Sequence, residues 1–170
     1  NSATDQWTRR AQNGSRPGDY KSAVIVPVRR RYFYYKVGVR TLFWYDITSP
    51  TGMLARQSGP TTGCDFMDDY APGWEYDPVL DRLVAWNGGD TVHLLNPDTR
   101  ACTAVTHAGG PAAVNNGTFG RFRYSALSQV YVTCNDVDAN CYALRLSPPS
   151  SIFKDGFESG DTSAWSSAVP

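Results

Sequence analysis

The sequence predicts an all-β protein in which three units, each of four short antiparallel strands, follow one another along 170 residues. Aromatic residues make up 13% of the chain, which also contains 15 glycines and 11 prolines. This composition combines strand formers with turn formers. Turn signals recur every ~8–12 residues and leave no room for a long helix. Similar apolar runs return with a period of about 50 residues, as in β-repeat proteins.

The clearest unit spans residues 74–102. Its apolar run at 83–86 stops at the sequence Asn-Gly-Gly-Asp of residues 87–90, where glycine permits the positive φ of a tight reversal. The next apolar run, 92–95, ends at Asn96-Pro97, a further turn signal. Short strands joined by tight turns predict an antiparallel meander.

The other two units follow the same pattern less regularly. The first has predicted strands at residues 22–26, 32–37, 41–47 and 53–57. The third has predicted strands at residues 119–124, 129–133 and 141–146. Tyr32, Leu83 and Val130 are predicted to hold equivalent positions in the three units.

The ends of the chain differ from this repeat. One extra strand is predicted around Trp7, and the third unit lacks its outermost strand because a Pro- and Ser-rich linker begins at Ser147. The predicted division is an N-terminal strand and loop at 1–20, three units within 21–146 (about 21–58, 72–107 and 119–146), and a linker and tail at 147–170.

Charge and hydropathy exclude two classes of partner. The 16 basic and 16 acidic residues cancel, which argues against a nucleic-acid partner even though residues 28–36 mix arginines with aromatics. No apolar run approaches the ~18 residues of a membrane span, so none is predicted. The first residue is Asn1, and we expect the sequence to be a piece of a longer protein.

The four cysteines predict disulfides. Cys134 and Cys141 flank a six-residue turn and would face each other across a hairpin. Cys64 and Cys102 then pair by exclusion, and the alternative is that all four remain buried thiols. An even cysteine count suits an oxidising compartment, so the predicted location is secreted or at the cell surface.

Three sequence segments resemble a known protein family. YDPVLDRLVAWNGG (76–89), VHLLNPDT (92–99) and GTFGRFRY (117–124) are similar to secreted kelch-type β-propellers of the galactose-oxidase-like superfamily. The resemblance implies a kelch-like propeller segment of three blades. Only Gly88-Gly89 matches the kelch diglycine pattern. The DGFESGD sequence at 155–161 resembles a tail of exported gammaproteobacterial proteins, which implies a bacterial extracellular protein.

A propeller of three blades would be incomplete, because propellers close with about 4–8 blades. Three explanations stay open: further blades lie outside this sequence, two copies complete one ring as a homo-oligomer, or a single chain closes in a distorted way. In each, loops 11–19, 36–40, 58–71, 87–90, 107–118 and 135–140 are expected to share one rim.

Binding residues concentrate on loops that a rigid scaffold holds. The predicted binding residues are therefore Asp65, Asp68, Asp69, Asn115, Asn116, Arg121, Arg123 and Tyr124. Arg121 and Arg123 are expected to share one face of an innermost strand and to hold a carboxylate or a sugar hydroxyl. The alternative is that these arginines pair with acidic groups of the neighbouring unit.

No catalytic residue, metal site or cofactor is predicted. The sequence has no G-x-S-x-G, H-E-x-x-H or P-loop motif, and His93 and His107 do not supply the ligands of a galactose-oxidase-like copper site. Residues 136–140 have the D-x-D-x-N spacing of a calcium loop but lack its glycine and glutamate, so a turn stabilised by Asx hydrogen bonds is the better prediction.

Three functions stay open. The first is a non-catalytic extracellular recognition module that binds glycan or protein through the long-loop rim. The second is the C-terminal part of a secreted carbohydrate-active or oxidase-type enzyme. The third is a structural surface protein that self-assembles through open strand edges.

Overall fold

The computed structural model describes residues 7, 9–10, 22–48 and 52–146. They form three antiparallel sheets of four, four and three strands, which confirms the predicted all-β class. Helical structure in these residues is limited to 3-10 turns of three or four residues. Within the same residues, no helix is long and apolar enough to cross a bilayer.

The first sheet is a meander in chain order. Its strands are β1 (Ala23–Val26), β2 (Arg31–Lys36), β3 (Val39–Asp46) and β4 (Arg56–Pro60). The fourth strand was predicted at 53–57 and lies further along, because β3 pairs with β4 as far as Thr41 opposite Pro60. Trp7 lies in no strand and is fully exposed. Its neighbours Gln6 and Thr8, which complete the predicted extra strand, lie outside the described residues.

The second sheet repeats this meander with all four predicted strands. They are β5 (Gly73–Asp77), β6 (Arg82–Trp86), β7 (Thr91–Leu95) and β8 (Cys102–Thr106). The turn between β6 and β7 uses Gly88 and Gly89 with φ of 103° and 71°, conformations that strongly favour glycine.

The third sheet has three strands within the described residues: β9 (Phe122–Ser125), β10 (Val130–Thr133) and β11 (Tyr142–Leu144). The prediction that its first strand begins at Phe119 is wrong. Phe119 has a φ of 49°, which interrupts extended backbone, and Phe119–Arg121 forms a 3-10 turn. Arg121 therefore does not share a strand face with Arg123.

The three sheets share one backbone feature, a residue with positive φ before the second strand. Arg30, Asp81 and Gln129 have φ of 49°, 54° and 52°, and each stands immediately before the second strand of its sheet. This left-handed residue fixes the register of the repeat. Counted from it, the equivalent of Tyr32 and Leu83 is Tyr131, and the predicted equivalence with Val130 is wrong by one residue.

The second sheet lies between the other two, since β5 contacts both β1 and β9. One core cluster joins the first and second sheets, where the rings of Tyr35 and Trp74 stack at 4.7 Å. A second cluster joins the second and third sheets, where Trp86 of β6 stacks on Phe122 of β9 at 5.7 Å. Each buried ring removes ~150–250 Å² from water, so these clusters hold adjacent sheets together.

Both predicted disulfides are confirmed. Cys64 pairs with Cys102 and ties the segment before β5 to the outermost strand of the second sheet. Cys134 pairs with Cys141 across the β10–β11 connection.

Candidate binding site

The connections of a meander alternate between two ends. We call one the loop end; it comprises segments 61–72 and 107–118 and the turns 37–38, 87–90 and 134–141. The other, the turn end, comprises the shorter connections 27–30, 78–81, 96–101 and 126–129. Most of the predicted binding residues lie at the loop end, and the predicted rim segment 11–19 lies outside the described residues.

Segment 61–72 is held firmly in place. Phe66 and Met67 are buried in the core between the first and second sheets. The Met67 carbonyl accepts a hydrogen bond of 3.0 Å from the amide of Gly38 in the β2–β3 turn. The disulfide of Cys64 adds a covalent attachment. The exposed side chains between these anchors are therefore presented on a rigid support.

Segment 107–118 is attached to the β6–β7 turn. Gly89 N donates to Pro111 O at 2.7 Å, and Gly110 N donates to Asp90 Oδ1 at 2.8 Å. The approach is so close that a Cβ on Gly110 would lie 2.0 Å from the Gly89 carbonyl oxygen. Only glycine fits there without displacing the segment.

The two long segments meet at Ala71. Its carbonyl accepts hydrogen bonds from Thr118 N at 2.9 Å and Phe119 N at 3.0 Å. Ala71 and Phe119 both have positive φ, 44° and 49°, which is strained for residues other than glycine. This junction places the rings of Tyr70 and Phe119 6.3 Å apart, edge to face, each 41% exposed. We call them the aromatic pair.

A depression of about 170 Å³ lies beside the aromatic pair, at the N-terminal ends of β1, β5 and β9. Its lining residues are Ser22, Ala23, Trp74, Phe119, Gly120 and Arg123. The Nε1 atom of Trp74 is buried and has no hydrogen-bond partner among the described residues. A buried donor of this kind is uncommon in proteins and is favourable only when an acceptor reaches it.

An ion pair adjoins the depression. Arg123 Nη1 lies 2.8 Å from Glu75 Oε1, which joins β9 to β5. Glu75 has a side chain only 16% exposed. Burial raises the pKa of Glu75, and the positive charge of Arg123 opposes that rise. One alternative from the sequence was that Arg123 pairs with an acidic group of the neighbouring unit, and the ion pair with Glu75 is such a contact. The exposed Arg123 side chain also lines the depression.

The three predicted aspartates are close to one another but differ in their surroundings. Arg40 Nη2 lies 2.5 Å from Asp68 Oδ2, and this hydrogen bond lowers the pKa of Asp68. Asp65 Oδ1 lies 3.4 Å from His93 Nδ1. Partial burial raises the pKa of Asp69, opposed by His93 and reinforced by the other two carboxylates. Asp69 directly precedes Tyr70, one member of the aromatic pair.

The other predicted residues divide into two groups. Asn115 and Asn116 are exposed in a turn, and Gly117 after them packs against the Tyr70 carbonyl. They therefore lie next to the aromatic pair. Arg121 and Tyr124 instead make contacts that support the fold.

Arg121 connects two loops through hydrogen bonds. Its guanidinium donates to the carbonyls of Gly117, Thr118 and Asn135, which ties segment 107–118 to the β10–β11 connection. Tyr124 packs its ring 4.9 Å from that of Tyr131, between the second and third sheets, and it does not line the depression.

Sequence reasoning missed the aromatic pair, Trp74 and Ser22. The available signal was an aromatic residue directly after a polar one inside a loop, as in Asp69-Tyr70 and Thr118-Phe119. The sequence pattern predicted that Phe119 begins a strand, and it predicted no binding role for Trp74. A strand pattern cannot reveal that a positive φ turns a ring toward solvent.

The chemistry of this end is hydrogen bonding and ring stacking. The described residues contain no group of His, Cys, Asp or Glu side chains arranged to hold a metal ion. In the D-x-D-x-N segment, Asp138 N donates to Asp136 Oδ1 at 3.2 Å, an Asx turn.

Comparison with known proteins finds no matching family model, no similar curated protein and no similar solved structure.

Proposed function

We propose that this protein is a non-catalytic recognition module that binds a glycan at the loop end. The observation that carries the proposal is the exposed aromatic pair beside a depression lined in part by Trp74, whose buried Nε1 has no hydrogen-bond partner among the described residues. Pockets that combine apolar rings with a few convergent polar groups are the usual form of a ligand site.

The side chains at this end match the chemistry of a sugar. A pyranose ring has an apolar C–H face, which packs on an aromatic ring, and a rim of hydroxyls that both donate and accept hydrogen bonds. Asp69 supplies acceptor oxygens, and Asn115 and Asn116 supply amides that do both. Trp74 Nε1 supplies a donor for a ring or hydroxyl oxygen.

We further propose that the three sheets are consecutive blades of a kelch-like propeller segment. The contacts of β5 with β1 and β9 support this arrangement, because innermost strands of neighbouring blades lie side by side. Three blades then require completion by further blades or by a second copy. The two disulfides support a secreted or surface location, where glycans are abundant.

The test is direct binding to an immobilised glycan library, followed by titration with the best soluble glycan. We expect Tyr70→Ala and Phe119→Ala each to weaken binding by roughly tenfold or more, as truncated aromatic hot spots do. Tyr32→Ala is the matched control, because Tyr32 is 38% exposed on the first sheet, away from the loop end. Absence of glycan binding, or equal losses in the control, would contradict the proposal. If the aromatic pair binds a polypeptide and no glycan, the ligand of the module is a protein.

A second candidate, self-assembly, is favoured by one observation. On the face of the first sheet opposite the core, Ile25 is 52% exposed and Tyr32 38% exposed. Exposed apolar groups on a sheet face are common at subunit contacts. Light scattering across micromolar concentrations tests this: a doubled mass in wild type and a monomer for Ile25→Lys would support a homo-oligomer.

A further inference from the structure

We propose that the Cys134–Cys141 bridge is a site of thiol–disulfide exchange, at which a dithiol opens the bridge and thereby releases β11, while the Cys64–Cys102 bridge stays closed. The bridge closes the β10–β11 connection, residues 134–141. This site is independent of the proposed glycan function, because the depression at the bridge shares no lining residue with the depression beside the aromatic pair.

The two bridges differ in their access to solvent. Cys134 and Cys141 are both exposed, and both line an open depression of about 570 Å³. Cys64 is 0% exposed, and Cys102 packs against the same core cluster. Exchange begins when a thiolate attacks one sulfur of a disulfide, so a bridge that solvent reaches reacts before one that the core covers.

The depression suits a small neutral dithiol. Its lining contains one positive side chain, Arg121, and one negative side chain, Asp136, so it carries no net charge that would repel an approaching thiolate. Asn135, Val137 and Ala139 complete the lining together with the two cysteines. Both sulfur-bearing residues therefore border the same open space.

The reaction is a two-step exchange that the dithiol completes by itself. One thiolate of the dithiol attacks the sulfur of Cys134 or Cys141, forms a mixed disulfide and releases the other cysteine as a thiolate. The second thiol of the dithiol then attacks the mixed disulfide and releases the second cysteine. Two electrons and two protons pass to the protein, which ends with two thiols, and the dithiol ends as its own disulfide.

β11 depends on this bridge for its attachment. It is an edge strand of three residues, and its ladder with β10 runs from Thr133 opposite Tyr142 to Tyr131 opposite Leu144. Thr133 and Tyr142 directly adjoin the two cysteines, so the bridge closes the hairpin at its last strand pair. A short edge ladder opens locally at small cost, and the cross-link opposes that opening by limiting the freedom of the opened chain.

The first experiment treats the folded full chain with increasing concentrations of dithiothreitol, quenches with acid, alkylates the free thiols and locates the label by peptide mass spectrometry. We expect Cys134 and Cys141 to be labelled roughly tenfold or more faster than Cys64 and Cys102. In urea that unfolds the chain, the two bridges should open at similar rates, because the difference comes from the fold. Equal rates in the folded chain, or earlier opening of Cys64–Cys102, would overturn the proposal.

The second experiment measures amide hydrogen exchange at a dithiothreitol concentration that opens only Cys134–Cys141. Exchange of the β11 amides should rise by up to roughly thirtyfold, the effect of a cross-link over so short a loop on the opening equilibrium. The amides of β5 to β8 should not change. A Cys134→Ala/Cys141→Ala variant is the control: its β11 should exchange rapidly without dithiol and show no response to it. Unchanged β11 exchange after the bridge opens, or a response to dithiol in the variant, would overturn release of β11.

Discussion

The two ends of the sheets use similar side chains for different purposes. At the turn end, Arg29 in the β1–β2 turn lies 2.5 Å from Asp81 and 2.6 Å from Asp98, in two turns of the second sheet. Tyr76 donates a further hydrogen bond of 2.8 Å to Asp81. Charge at this end is paired across neighbouring sheets, so its role is to hold them together.

At the loop end the polar groups are less completely paired. Asp69 has a raised pKa, and Trp74 Nε1 has no partner among the described residues. The strained residues Ala71 and Phe119 also lie here. Groups that are costly to leave unsatisfied persist where a ligand supplies the missing partner. The turn end therefore stabilises the fold, whereas the loop end carries the strained and unsatisfied groups from which the proposed binding is argued.

Removing disulfides should give the largest effect. Cys64 and Cys102 are 38 residues apart, whereas Cys134 and Cys141 are seven apart. In the chain-entropy model, loss of the first bridge costs about 4 kcal/mol of unfolding free energy and loss of the second about 2 kcal/mol. Paired Cys→Ala variants, compared by urea denaturation, check this order.

The same variants test whether rigidity at the loop end matters. The Cys64/Cys102 variant releases segment 61–72, so glycan binding should weaken even at temperatures where the chain stays folded. The Cys134/Cys141 variant should bind nearly as wild type, because its bridge lies away from the aromatic pair. Equal binding by both variants would argue against a role for the first bridge in presenting the site.

The second-largest loss of stability is expected on removal of a buried carboxylate, Asp77, beside the turn end. Asp77 is 2% exposed; it accepts hydrogen bonds from Tyr131 Oη at 2.9 Å and from the amides of Val79 and Leu80 at 2.8 and 2.9 Å. Asp77→Ala removes the acceptor for these three donors, of which Tyr131 Oη is buried, and should cost about 3 kcal/mol. Thermal denaturation measures it, and Asp136→Ala, in an exposed turn, should change stability by less than ~0.5 kcal/mol.

The ion pairs of the turn end predict a smaller, pH-dependent effect. Arg29 lowers the pKa of Asp81 from 3.8 to about 2. A carboxylate whose folded pKa is depressed contributes stability above its unfolded pKa, and that contribution is lost as the pH falls. Unfolding free energy should therefore decline between about pH 4 and about pH 2. Arg29→Ala should cost about 1 kcal/mol at pH 7, because Asp81 is half exposed and solvent screens the pair.

Urea denaturation of both proteins across this pH range checks the assignment. The Arg29→Ala curve should be flatter than that of wild type, since the depressed pKa depends on the guanidinium. Arg145→Ala is the control, because Arg145 is an exposed arginine directly after β11. An unchanged pH slope in Arg29→Ala would show that other carboxylates cause the acid sensitivity.

Local patterns predicted the strands and short turns better than the two long loop segments. Proline, Asn-Gly and Asp-Pro signals act over a few residues, so strands β5 to β8 fell close to their predicted places. The Cys134–Cys141 bridge also followed from strand and turn positions, and the Cys64–Cys102 bridge followed by exclusion. The aromatic pair depends instead on bonds between Ala71 and residues 118–119, tens of residues away. No local pattern carries such a contact, and for the same reason Arg121 was assigned to a strand.

The smallest predicted effect is a difference between the pH at which glycan affinity falls and the pH at which stability falls. Partial burial raises the pKa of Asp69 above 3.8, whereas Arg29 lowers that of Asp81 below it. If ionised Asp69 accepts a sugar hydroxyl, glycan affinity should fall at a higher pH than the pH at which stability begins to decline. Asp69→Asn keeps one acceptor oxygen, so affinity should fall only about threefold, and its pH dependence in this range should disappear. Asp138→Asn is the control, because Asp138 is exposed in the β10–β11 connection and does not contribute to the pKa shift of Asp69. Calorimetric titration between pH 7 and pH 4 measures both; a wild-type pH profile retained in Asp69→Asn would separate Asp69 from the site.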